Sequence, residues 1–316
     1  MTYPPAERPT LHFIGVTTGH SSILKVFPAW ASYLGLHDAA IHGIDFPLHA
    51  DPAAYREAVT FIKHDKLSRG ALVTTHKIDL FNACRDLFDT IDPLAALMHE
   101  TSCLSKRDGR LICHAKDPIS AGLALDAITG AGYFRRTGAD AFLIGAGGGA
   151  IATTWHLMRP ERGDDVPRRI VVSNRSPGRL EEMRRIHAAL ASRVPVEYVL
   201  APQATDNDAV LPGLAEGSLV INATGLGKDA PGSPLGDAAI FPRHAIAWDF
   251  NYRGELVFLD QARRQQAARA LRIEDGWIYF IHGWTQVIAE VFAITIPTSG
   301  PAFEAISAIA LDAAKA

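Results

Sequence analysis

The chain has 316 residues, a formal charge of −3 and a pI near 6.5, a balance that excludes the basic field a nucleic-acid partner requires. Hydrophobic residues make up 48% and charged residues 21%, the proportions of a globular protein long enough to bury two cores. No apolar run approaches the roughly 20 residues that cross a bilayer, the opening MTYPPAERPT is no secretory signal, and Cys84, Cys103 and Cys113 have no metal-type spacing and read as free thiols in a reducing cytoplasm. The histidines are scattered, with no HExxH pair to mark a metal site.

In chain order, residues 11–16 predict a strand broken at Gly19, followed by a helix that Ser21 or Ser22 can cap and Gly35 ends. Residues 39–46 predict a second strand. Asp51-Pro52 opens a helix, with proline at the first helical position. A third strand is expected over 70–75 and a helix over 78–87. Such alternation points to an α/β unit with a parallel sheet. The rhythm then changes. Residues 100–104 and 110–113 flank the turn Lys106-Arg107-Asp108-Gly109 and predict a hairpin. Asp117-Pro118 starts another helix that runs to Gly130 and can join two domains.

A second α/β series begins near Ala139. Its first strand, Ala141–Ile144, runs into Gly145-Ala146-Gly147-Gly148-Gly149-Ala150 and a helix. Gly145 suits the tight turn, Gly147 lets a pyrophosphate approach the backbone, and Ala150 allows close packing of helix on strand. The exposed N–H groups of the helix start then face phosphates. The next strand ends in Ser173-Asn174-Arg175-Ser176-Pro177-Gly178-Arg179, with two arginines and no acid to accept from a ribose 2′-hydroxyl. A guanidinium suits a 2′-phosphate, which indicates NADP. Three more strands follow, in VEYVLA, GSLVINATGLG and HAIAWDFNY. The tail from Gly276 reads as two helices broken around Pro297–Pro301.

Taken in order, these motifs resemble the shikimate dehydrogenase family of NADP-dependent oxidoreductases over nearly the whole chain. Residues 15–21, Gly-Val-Thr-Thr-Gly-His-Ser, look like its carboxylate-binding loop, which brings in Ser21 and Ser22. Val73–Lys77, VTTHK, looks like the segment of its catalytic lysine. Ala115-Lys116-Asp117 looks like its Asn-Thr-Asp, whose Asp partners that lysine. Gly145–Ala150 and Asn174-Arg175-Ser176, with Arg179, resemble its phosphate loop and 2′-phosphate clamp. Asn222–Gly227 resembles the loop beside the nicotinamide, which brings in Ala223, Thr224 and Gly225. Asp249–Tyr252 resembles a strand end whose tyrosine reaches substrate. The pattern departs in the substrate half. Ile23 stands where the family has its second serine, Thr75 where it has proline, and Glu100 where it has an asparagine for substrate hydroxyls. Its glutamine counts to Gly283, with Gln286 nearest.

The resemblance implies a substrate domain over 1–130, completed by 276–316 packing back on it, and a Rossmann-type NADP domain over 131–275. It implies reversible reduction of 3-dehydroshikimate to shikimate, or of a related cyclic keto acid, in aromatic amino acid biosynthesis. Lys77 and Asp117 are the expected proton-transfer pair, because a ketone reduced by hydride needs a proton at its oxygen. The substrate contacts are expected from Ser21, Ser22, Thr75, Glu100, Tyr252 and Gln286. Plainer readings stand beside these: a surface ion pair for Lys77 and Asp117, a helix cap for Ser21, a packed ring for Tyr252 and an exposed strand residue for Glu100. Quinate or an amino-substituted analogue as substrate, a ligand-sensing protein without turnover, and assembly as a homodimer all stay open.

Overall fold

The computed structural model describes residues 3–228 and 230–315. Its elements, in order, are β1 (Thr10–Gly15), α1 (Ile23–Tyr33), β2 (Ala40–Asp45), α2 (Pro52–His64), β3 (Ser68–Val73), α3 (Lys77–Cys84), β4 (Thr90–Ile91), α4 (Pro93–Met98), β5 (Cys103–Arg107), β6 (Arg110–His114), α5 (Asp117–Thr129), α6 (Tyr133–Thr137), β7 (Ala141–Ile144) and α7 (Gly148–Met158). There follow β8 (Ile170–Asn174), α8 (Pro177–Ala188), β9 (Val196–Leu200), α9 (Ala204–Asp208), β10 (Leu219–Asn222), β11 (Ile246–Asp249), α10 (Val257–Arg269), β12 (Arg272–Glu274), α11 (Trp277–Phe292) and α12 (Gly300–Lys315). The chain divides into two units. One holds the described residues up to Lys116 and those from Ile281 on; the other is Asp117–Phe280.

In the first unit the sheet order is β2-β1-β3-β5-β6-β4. β1 pairs in parallel with β2 and β3, whereas β5 is antiparallel to both β3 and β6. The hairpin turns at Asp108 and Gly109, both at positive φ (50° and 76°), the backbone a two-residue turn of this kind needs. Asp51 caps α2 by accepting from the Ala53 N–H at 2.8 Å. The cap expected of α1 is absent. Ser22 already has helical angles (φ −56°, ψ −24°) and makes no side-chain cap bond. The C-terminal helices complete this unit, as expected: Trp30 on α1 donates its indole N–H to the Ile306 carbonyl at 2.8 Å, and Phe27 stacks on Phe292. Ile23 and Trp30 on α1 and Ile306 on α12 are fully buried.

The second unit has six strands, all parallel, in the order β12-β11-β10-β7-β8-β9. Counted from β7 this is the doubly wound order of dinucleotide-binding sheets. β7, β10 and β11 are buried along their whole length and β8 nearly so, whereas the outer strands β9 and β12 are partly exposed; Phe142, Val171, Val220, Ala247 and Phe258 form the core. α5 belongs here, although the sequence reading draws the boundary at Gly130. A Cβ on Gly122 would lie 2.3 Å from the His156 ring on α7, so the missing side chain is what lets the two helices approach. Asp126 then reaches His156 at 3.1 Å and Arg162 at 2.8 Å.

Candidate active site

In the first unit, β1 and β3 end side by side and release two loops from one sheet edge. Thr74 donates its N–H to the Ile14 carbonyl at 3.0 Å, and Phe46 donates to Gly15 at 2.8 Å. Gly15 has no room for a side chain: a Cβ there would lie 3.1 Å from the Thr18 methyl and 3.2 Å from the Thr74 methyl. The loop bearing Ser21 and Ser22, both half-buried, thus lies against the VTTHK loop. His76 is anchored inward. It is buried, and its Nδ1 lies 2.9 Å from the Tyr55 hydroxyl. Thr75 is exposed and sits at φ 59°, a backbone that proline cannot adopt. Lys77 follows, half-buried, as the first residue of α3.

A third segment runs alongside. Val73 donates to the Ser102 carbonyl at 2.9 Å, and Thr101 donates to the Lys77 carbonyl at 3.2 Å. Glu100 is only 6% exposed and lies outside any strand, which corrects the exposed-strand alternative. Lys116 donates its N–H to the Ser102 Oγ at 2.7 Å, and the next residue is Asp117, half-buried at the start of α5. Behind this segment lies a polar chain: Asp92 to His114 at 3.1 Å, His114 to Ser105 at 2.9 Å, and Lys116 to Glu290 at 2.7 Å. Asp92, His114 and Ser105 are ordered like a nucleophilic triad, but Ser105 is fully buried within a strand. They lock the hairpin that ends just before Asp117. The thiols offer no nucleophile either, since burial pushes Cys84 and Cys113 up to about 12. On α11, Gln286 is half-buried, and Gly283 faces open space where a Cβ would meet nothing within 4 Å. Ile23 is fully buried in the core, so the position of the resembling family's second serine presents no group to a ligand.

The second unit carries a cavity of about 440 Å³ at the carboxyl edge of its sheet. Gly145, Ala146, Gly147, Asn174, Arg175, Ala223, Thr224 and Gly225 line it. Gly145 sits at φ 109°, and a Cβ there would be 2.8 Å from the Ala223 carbonyl oxygen. Gly147 faces open space, so a ligand can approach the first turn of α7. Gly148 and Gly149 form that turn, Gly149 close under the Phe250 ring, and Ala150 is buried against the sheet. Asn174 joins the two loops of the cavity. It accepts from the Ala146 N–H at 3.3 Å and donates to the Ser176 carbonyl and hydroxyl at 3.0 and 3.1 Å. Arg175 and Arg179 are exposed and have no ion pair or hydrogen bond among the described residues.

The loop after β10 is shaped from below. Asn222 accepts from the Thr224 N–H and hydroxyl at 3.0 and 2.6 Å and donates to Asp249 at 3.0 Å; Asn251 donates to the Thr224 carbonyl at 3.1 Å. Burial raises the Asp249 carboxyl to about 6. Tyr252, half-buried, packs on Trp277 and Phe280 at 5.4 and 4.8 Å between ring centroids. The sequence reading misses Ser173, Ala201, Pro202, Gln203, Ala204, Asn207, Leu226, Ser233 and Pro234, which also line the cavity. The available signal was positional: Ala201–Ala204 follows β9 at the same sheet edge. The set fits a dinucleotide: backbone N–H groups at a helix start and two guanidinium groups without partners among the described residues suit its phosphates, while the buried Ser173 Oγ and the acceptor Asn207 Oδ1 have no partner among the described residues. Among the described residues no group of His, Cys, Asp or Glu could hold a metal ion, and no helix is long and apolar enough to cross a membrane.

Comparison with known proteins gives one family by sequence and one fold by structure. The chain is 32% identical over 251 residues to the shikimate dehydrogenase (NADP(+)) of Methylobacterium radiotolerans, covering 78% of this chain and 80% of that protein. It is 29% identical over 259 residues to that of Symbiobacterium thermophilum, covering 80% of each. The crystal structure of shikimate dehydrogenase from Aquifex aeolicus superposes with a TM-score of 0.71 at 17% identity, over 96% of this chain and 99% of that one. No family model matches. The sequence relatives and the shared two-sheet fold lead to one conclusion: the chain belongs to the shikimate dehydrogenase family.

Proposed function

We propose that the protein is an NADP-dependent dehydrogenase that reversibly reduces 3-dehydroshikimate to shikimate, or a closely related cyclic keto acid to its hydroxy acid. The observation that carries this reading is Lys77. It is a half-buried lysine at the first turn of α3, just after the loop that leaves β3, and its carbonyl accepts from the Thr101 N–H. In this reading the α7 N–H groups hold the pyrophosphate, and Arg175 and Arg179 hold the 2′-phosphate. NADP supplies the hydride chemistry when bound. Lys77 donates a proton to the substrate oxygen in reduction and takes it back in oxidation. Asp117, next to the anchored Lys116, orients that ammonium. Ser21 and Ser22 bind the substrate carboxylate, and Tyr252 and Gln286 complete its contacts. The work is then a step of aromatic amino acid biosynthesis in the reducing cytoplasm, where Cys84, Cys103 and Cys113 stay free thiols.

One observation favours a different substrate within the same chemistry. Glu100 is a buried carboxylate where the resembling family has asparagine. An ionised carboxylate only accepts hydrogen bonds, so it favours a ligand presenting a hydroxyl or an amine donor, as quinate or an amino-substituted analogue does. The test is a screen of purified protein with NADP and NAD against shikimate, quinate and amino-substituted cyclic acids, read by absorbance of the reduced nicotinamide. Turnover of shikimate at ordinary enzyme rates establishes the first substrate, and turnover of another acid alone establishes the second. Tight NADP binding without turnover of any acid refutes the dehydrogenase reading. The Lys77→Ala variant is expected to lose turnover and keep its NADP affinity.

A further inference from the structure

We infer that Asn207 reads the base of the dinucleotide: its side-chain oxygen accepts the exocyclic amine of adenine, so the cavity selects adenine over a 6-oxopurine. This rests on the cofactor reading above and names a contact that no motif in the chain announces. Asn207 lies on α9 and is 5% exposed. Its Nδ2 donates to the Pro234 carbonyl at 2.9 Å. A carbonyl can only accept, so this bond fixes which end of the amide is nitrogen. The other end, Oδ1, is buried without a partner and belongs to a residue that lines the 440 Å³ cavity. Buried acceptors are rarely left so in native proteins. A second orphan lies in the same cavity: the Ser173 hydroxyl, on a residue 0% exposed.

The placement along the sheet edge agrees. Pyrophosphate belongs at the glycine turn after β7 and the ribose at the end of β8. The base then falls against the remaining wall, which is Ala201–Ala204 after β9 with Leu226, Ser233 and Pro234. That wall is mostly apolar and suits a flat ring. The acceptor on it selects the edge of the ring that carries a donor. Adenine presents an N–H there, whereas hypoxanthine presents an oxygen, and two buried acceptors facing each other leave both unpaired.

The test compares binding of NADP and of nicotinamide hypoxanthine dinucleotide phosphate to the full chain by titration calorimetry. The two ligands differ only at that edge of the base. The wild-type protein is expected to bind NADP roughly 10-fold or more tightly than the analogue. In Asn207→Ala the two affinities should converge, whereas Arg175→Ala should weaken both by a common factor and keep their ratio. A structural role for Asn207 would not change that ratio. Equal affinity of the wild type for both ligands overturns this inference alone. So does a preference that survives in Asn207→Ala. Binding of neither ligand overturns the cofactor reading and the inference with it. Should Asn207→Ala fail to fold, as circular dichroism would show, the wild-type comparison still decides.

Discussion

Replacing Thr75 by the proline of the resembling family should damage this protein rather than restore it. Thr75 sits at φ 59°, and proline is confined near −65°, so the backbone would have to swing through roughly 120°. Both neighbours resist the swing. Thr74 is tied to β1 by its bond to the Ile14 carbonyl, and His76 is buried and held by Tyr55. Because Thr75 is exposed, its side chain contributes little, and the backbone term decides. A left-handed conformation costs an L-residue about 1–2 kcal/mol, and more for a β-branched one. Thr75→Pro should therefore cost about 3 kcal/mol or more. Thr75→Gly should relieve the strain and lose only about 0.5–1 kcal/mol to the freer unfolded chain, a net gain of up to about 1.5 kcal/mol. At about 2–4 °C per kcal/mol for a unit of this size, thermal unfolding should show a fall of roughly 6–12 °C for proline. Glycine should give a small rise. Turnover in Thr75→Pro should fall as well, since the same loop delivers Lys77. A proline variant as stable and active as the wild type would refute the argument, because the loop would then not hold this backbone.

Arg175→Ala should weaken NADP binding by roughly 10- to 100-fold and leave NAD binding nearly unchanged, since a lost charged hydrogen bond is worth about 1.5–3 kcal/mol; calorimetric titration of both dinucleotides checks it. Gly145→Ala should destabilise the second unit by at least about 1 kcal/mol and abolish NADP binding, because its Cβ would press on the Ala223 carbonyl from a backbone at φ 109°; chemical denaturation and the same titration read both effects. Burial raises Asp249 from 3.8 to about 6, so between those values the fold holds a proton that the unfolded chain has released. The stability due to that proton is lost as pH rises from about 4 through about 6, on the order of 3 kcal/mol in all. Relative to wild type, the denaturation midpoint of Asp249→Asn should fall less over that range.

How much of this could be read in advance depended on whether chemistry constrains the backbone or only the side chains. A pyrophosphate must approach the main chain, so it demands glycine at Gly145, a helix start and a strand before it, and these show in any single sequence. The arginines after β8 were legible for the same reason, since they sit at a strand end whose place in the motif is fixed. Other features are settled by tertiary contact. β4 and β12 have two and three residues, too short to show a period. α5 buries small and polar residues such as Ser120, Ala121, Gly122 and Thr129 while leaving Ile119 exposed, so its apolar pattern gives no stripe to say which unit it joins; the approach of Gly122 to His156 decides that. A threonine in VTTHK suggests extended backbone, yet the anchors on either side turn it left-handed. Asn207 has no motif at all, because one hydrogen bond to Pro234 and an orphaned oxygen are properties of a folded cavity. The substrate half falls in the same class. Sequence could flag Glu100 as foreign to the family's pattern, but whether it met water or the protein interior turned on burial. At 6% exposure a carboxylate has lost most of its hydration and must be compensated. Turnover of an amine-bearing acid and not of shikimate in the substrate screen would assign that carboxylate to ligand recognition; turnover of shikimate alone would leave it a structural group.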